Sequence, residues 1–192
     1  YFEQAFFAAV ENGAVDNTNI IYKKIIDYMP EKGSFKYQGD KALELASLDF
    51  LDDETSLLLY SLSALYYRNG GRYEELYPAA ETGYNLAVNL SEQNQAAEFL
   101  YDMALSLFKS EEYEECAARS EEAVSRLKST DRKHLLKDAY LVRSECLYNL
   151  GLYRQSYEMA EHALNYAKLA EHDKINARIA EIKEKINIEE LK

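Results

Sequence analysis

Proline and glycine are scarce in this chain, two and seven in 192 residues. Few places therefore force a turn, and most of the backbone is free to be helical. Runs of β-branched residues are nearly absent while Ala, Leu, Glu and Lys dominate, which argues against sheets. Tryptophan is missing altogether. No apolar run is long enough to span a bilayer and no signal peptide is present, so no membrane association is expected. Positive charge is in deficit, with a formal net charge of −12. Phosphate backbones would be repelled, and no basic stripe with interleaved aromatics offsets this, so direct nucleic-acid binding is excluded from the expected functions.

Cysteine is nearly absent as well. Cys116 and Cys146 lie in the apolar stripes of different predicted helices, where buried free thiols are expected. Two cysteines make neither a disulfide scaffold nor a zinc site. They are compatible with a reducing compartment, and a cytoplasmic location is the expectation. Catalytic constellations are missing too. His134, His162 and His172 sit in no ligand spacing, and Glu171-His172-Asp173 reads as a polar link, because a metal needs more ligands than one link offers. There is no Gly-rich phosphate loop, no HExxH, and no Ser or Cys with an evident base. The expectation is a non-enzyme without cofactor or metal. The chain begins at Tyr1 rather than Met, which reads as a piece of a longer protein or a processed form.

What the chain has in abundance is tyrosine, 17 in all. Tyrosine suits half-buried positions between helices, where the ring packs and the hydroxyl reaches water. Three of them keep time: Tyr73, Tyr113 and Tyr153 recur at one constant spacing. Each follows one helix-period segment and opens another, the signature of a repeated helix–turn–helix unit.

In chain order, residues 1–52 hold atypical N-terminal helices. Phe2, Ala5, Phe6, Ala9 and Val10 share one face, then Ile21, Ile25, Ile26 and Met29 another, and a third helix is expected from Asp40 to Leu51. Residues 55–170 hold three units of period 40, and residues 174–192 a final amphipathic helix with Ile175, Ile179, Ile182 and Ile186 in a narrow stripe. Within the second unit, Ala96–Ser110 is apolar over a wide arc, with Glu98, Asp102, Ser106 and Lys109 as its polar edge. Such a helix must be packed on several sides. Its partner, Glu112–Lys128, is simply amphipathic, with Glu111, Glu112, Glu114 and Glu115 favouring the N-terminal dipole.

These units resemble the tetratricopeptide repeat. Ala64, Tyr67, Gly71, Tyr73, Ala80 and Gly83 look like one copy. Ala104, Leu107, Tyr113, Cys116, Ser120 and Ala123 look like a second. Ser144, Leu147, Gly151, Tyr153, Ser156, Ala160 and Ala163 look like a third. The period is 40 rather than the family's roughly 34, and the closing proline is missing; polar links such as LSEQNQ and KSTDRK absorb the extra length. The resemblance implies an all-α, right-handed solenoid of stacked antiparallel hairpins. The last helix should cap its apolar end.

In this family the first helix of each unit lines a concave, ligand-binding face. A helical-wheel projection then places Leu58, Ser61, Leu65, Arg68 and Asn69 on that face, followed by Glu98, Tyr101, Leu105, Phe108 and Lys109. Asp138, Leu141, Glu145, Tyr148 and Asn149 complete it. Asn69, Lys109 and Asn149 form a column of donors beside aromatic rings, able to hold a peptide backbone and its side chains. Tyr101, Phe108, Lys109, Tyr148 and Asn149 are expected to share one open surface, unless the rings are needed to pack neighbouring helices. The Lys/Asn clamp with which some members hold a C-terminal carboxylate is not reproduced, and Glu98, Asp138 and Glu145 would oppose such a ligand. The implied function is a monomeric, non-catalytic scaffold binding a protein or peptide. The alternative is the sensing half of a bacterial transcription regulator, since units of this length look like those of such regulators.

Overall fold

A computed structural model of the chain describes residues 34–48 and 51–191. The two amphipathic segments expected before residue 30 lie outside the described residues. Those described are helical, with no strand among them. In order they form α1 (Phe35–Ala46), α2 (Asp53–Asn69), α3 (Tyr73–Asn89), α4 (Gln93–Lys109), α5 (Tyr113–Leu127), α6 (Lys133–Asn149), α7 (Tyr153–Leu164), a short 3-10 turn (Leu169–Glu171) and α8 (His172–Glu190). Consecutive helices pack on one another throughout, which makes the chain an α-solenoid.

The three periodic tyrosines each begin the second helix of a hairpin. The helix starts divide that period in half: α2 to α7 begin at Asp53, Tyr73, Gln93, Tyr113, Lys133 and Tyr153, an even spacing throughout. One turn geometry recurs at four of the links. The N–H groups of Arg72, Glu92, Glu112 and Leu152 each bond back to the carbonyl five positions earlier, at 2.8, 2.8, 2.9 and 2.9 Å. The residue before each has positive φ: Gly71, Ser91, Glu111 and Gly151. This is the Schellman closure, which satisfies carbonyls that a helix end leaves bare. Between α5 and α6 the helix stops sooner, at Leu127, and the link is correspondingly longer. Thr130 Oγ1 caps Leu127 O there at 2.9 Å.

Small residues sit where helices cross. Ala64, Ala80, Ala104, Ala123, Ala160 and Ala163 are buried, which permits close backbone approach. In the third unit the crossing is polar instead. Ser144 and Ser156 each donate a hydroxyl proton to the other's carbonyl, both at 2.8 Å, so two buried hydroxyls are satisfied by reciprocity.

Three sequence expectations need correction. Cys116 and Cys146 are buried as expected, but not as free thiols: they form a disulfide joining α5 to α6, with Cα atoms 6.1 Å apart. The helix placed at Asp40–Leu51 runs from Phe35 to Ala46, opened by the Ser34 cap and with Gly39 buried inside it. A β-carbon there would stand 2.6 Å from Tyr67 Cε1, and Ser63 Oγ donates to Gly39 O at 2.9 Å. Finally, α7 ends at Leu164 rather than Ala170, and of Glu171-His172-Asp173 only Glu171 lies in the link, as the last residue of the 3-10 turn, while His172 and Asp173 open α8.

The last helix covers the end of the array. Ile175, Ile179 and Ile182 bury with Ala160 of α7, and Leu141, Tyr148, Tyr153 and Tyr157 pack against them.

Candidate functional site

The first helices of successive units touch directly, α2 on α4 and α4 on α6. Outer helices α3 and α5 meet instead through long side chains, Tyr84 Oη donating to Glu122 at 3.0 Å and Arg126 donating to Tyr84 at 3.2 Å. Closer spacing on one side makes that side the concave one, and α2, α4 and α6 line it.

At its centre lies a ladder of ions. Asp102 of α4 is 1% exposed and accepts from Arg68 of α2 at 2.6 Å. Arg68 also reaches Glu98 at 3.3 Å, and Arg132, just before α6, pairs with the other oxygen of Glu98. Burial pushes the Asp102 carboxyl up to about 7, although the Arg68 guanidinium pulls against it. The phenol of Tyr101 is also raised, first by burial and then by the charges of Asp138 and Asp102. Asp102 and Ser106 are thus not the solvated polar edge the wheel projects, since both are buried. Three helices are tied through two carboxylates.

The ten residues singled out from sequence divide into two groups. Asn69, Lys109 and Asn149 are the last residues of α2, α4 and α6 and are exposed, so the column of donors exists at one rim of the layer. Asn149 uses its amide to cap Glu145 O at 2.8 Å, and the Lys109 ammonium stands 5.5 Å from the Tyr73 ring. The remaining seven are engaged internally. Arg68 belongs to the ion ladder. Tyr101 is 8% exposed, while Leu105 and Phe108 pack half-buried on the main core with Leu141. Glu145 receives both arms of Arg178 from α8, at 2.8 Å each, and the same guanidinium lies 4.0 Å over the Tyr148 ring. The expected open surface joining Tyr101 to Tyr148 is therefore not formed, because Tyr101 faces the core and α8 covers Tyr148. The rings are needed for packing.

What stays open lies toward α2. Leu58 and Leu65 are 54% and 38% exposed. A groove of about 450 Å³ runs between the N-terminal halves of α2 and α4, lined by Glu54, Leu57, Leu58, Glu92 and Gln95 with Thr55. Leu58 and Leu65 are on the projected edge; Glu54 and Glu92, at the starts of their helices, are not. Among the described residues, no cluster of His, Cys, Asp or Glu could hold a metal, and no helix is long and apolar enough to cross a membrane.

No protein-family model matches this chain, and no curated protein matches it. Among solved structures it is similar to the crystal structure of BtubC (BKLC) from P. vanneervenii, with a TM-score of 0.72 and 15% identity. The match covers 97% of this chain and 80% of that one. At this identity the likeness is one of fold, a helical repeat-like array.

Proposed function

We propose that this chain is a non-catalytic scaffold of tetratricopeptide type that binds a protein segment or peptide on the concave side of α2 and α4. One observation carries the reading. Leu58, which lines the groove, and Leu65, two turns further along α2, remain exposed in the same layer whose far end, at Glu145 and Tyr148, is closed by α8. Exposed leucines flanked by carboxylates suit an extended or helical segment with apolar anchors. The ion ladder further along the same two helices ties α2 to α4 and so helps to pre-shape the groove, which lowers the ordering cost of binding. The disulfide favours an oxidising compartment over the cytoplasm expected from sequence, since such bonds persist where thiols are not kept reduced.

Selection of peptides from a random displayed library tests the reading. Peptides enriched on the wild-type chain should lose binding to a Leu58→Asp/Leu65→Asp variant of unchanged helicity. Enriched peptides that bind both proteins equally, or no enrichment at all, would overturn it.

A further inference from the structure

We infer a second docking surface, on the opposite side of the hairpins from the leucine groove: the crease between the first turns of α3 and α5 takes a lysine- or arginine-rich segment of a partner protein. The crease has a volume of about 380 Å³. Tyr73, Tyr77 and Pro78 form one wall, the end of α4 the floor, and Glu112 and Glu115 the other wall, with Glu74 at the mouth. Aromatic faces beside carboxylates are the chemistry that holds an organic cation. Among the described residues, Glu74, Glu112 and Glu115 have no ion-pair partner, whereas Glu75 beside them is taken by Arg72. The chain's own Lys109 ammonium already stands over the Tyr73 ring, 5.5 Å from its centroid, so the rim is one that an ammonium occupies.

The repeat supplies an internal control. A shift of one full period carries Glu74 onto Glu114, and an acid in that position serves the helix dipole in both units. The same shift carries Glu112 onto Leu152, Glu115 onto Gln155, Tyr77 onto Ala117 and Pro78 onto Ala118. The next crease thus folds with none of these four residues. Hairpin architecture does not require them, and their meeting in one crease is specific to it. The overall charge of −12 draws a basic segment toward the surface, while the crease gives it a place to stop.

The test titrates the full chain into a fluorescein-labelled oligolysine peptide at physiological ionic strength and follows anisotropy. Glu112→Gln/Glu115→Gln should weaken binding about fivefold, the scale of two partly exposed ion pairs. Tyr77→Ala, a residue the next unit already tolerates at its equivalent, should weaken it too. Glu184→Gln/Glu189→Gln on α8 makes the same change in net charge and should leave the affinity within about twofold. Equal losses in both double variants would mean diffuse attraction and would overturn the crease. So would no binding by the wild type, or full binding by the crease variants.

Discussion

Gly83 of α3 and Phe99 of α4 share one space: a β-carbon built on Gly83 would stand 2.6 Å from Phe99 Cε1. Shifts by full periods put alanine at 123 and 163, and leucine at 59 and alanine at 139 in place of the ring. One unit has therefore traded a methyl on the second helix for a phenyl on the next.

Gly83→Ala gains helix propensity of about 1 kcal/mol. Overpacking outweighs this, and a net loss of about 1–2 kcal/mol is expected in urea melts. Adding Phe99→Leu to that variant should recover part of the loss. An additive double variant would break the pairing.

Ser91 and Glu111 hold φ near 62° and 63° where Gly71 and Gly151 stand in the equivalent turns. Side chains with a β-carbon are strained there. Ser91→Gly and Glu111→Gly should each stabilise by about 1 kcal/mol, read as a raised urea midpoint at unchanged slope.

Removing residues 172–192 uncovers Ala160, Leu141 and Tyr148 and strips Arg178 from Glu145. The expected product is a destabilised, aggregation-prone chain, seen in thermal melts and light scattering. A well-folded truncated monomer would show that α8 is no cap.

Asp102 makes stability depend on pH in an unusual sense. Its folded carboxyl titrates near 7 against a usual 3.8, so the folded state binds the extra proton. The stability this confers is present at low pH and is lost as pH rises through about 7. The stability difference between wild type and Asp102→Asn should therefore shrink from pH 4.5 to pH 8 by urea melts, roughly through the interval in which one state holds the proton and the other does not. A difference that grows with pH would mean that the Arg68 pairing outweighs burial.

Reduction of the Cys116–Cys146 bond opens a covalent loop of 30 residues' separation. Loop-closure entropy puts its loss at about 3.6 kcal/mol. A lowered melting temperature under reductant, and no alkylatable thiol in the unreduced, denatured chain, are the expected readings.

The small residues at Ala104 and Ala163 and the isoleucine stripe of α8 are legible in the sequence because each is a local pattern along one helix, and the period because the same pattern recurs at a constant spacing. Asp102 is not. On a wheel it falls among Glu98, Ser106 and Lys109 and looks solvated; only Arg68, on another helix, lets it be buried. The disulfide is illegible for the same reason, since two cysteines on separate helices carry no sign of meeting. The helix expected from Asp40 starts earlier, at Phe35, because Gly39 inside it is a seat for the Tyr67 ring on another helix. The binding edge is overdrawn from sequence because a wheel shows which way a residue points but not what a later helix lays over it.

The same Schellman closure serves the links inside hairpins and the link from α3 to α4. The backbone at those links thus carries no mark of which helix belongs to which layer; side chains alone carry it. The chain has, in effect, a reading frame two helices long. An insertion or deletion of one full period stays in frame and only changes the length of the array. One of half a period, made at those links, satisfies their turns yet shifts the frame downstream, presenting the charged face of an outer helix to the core.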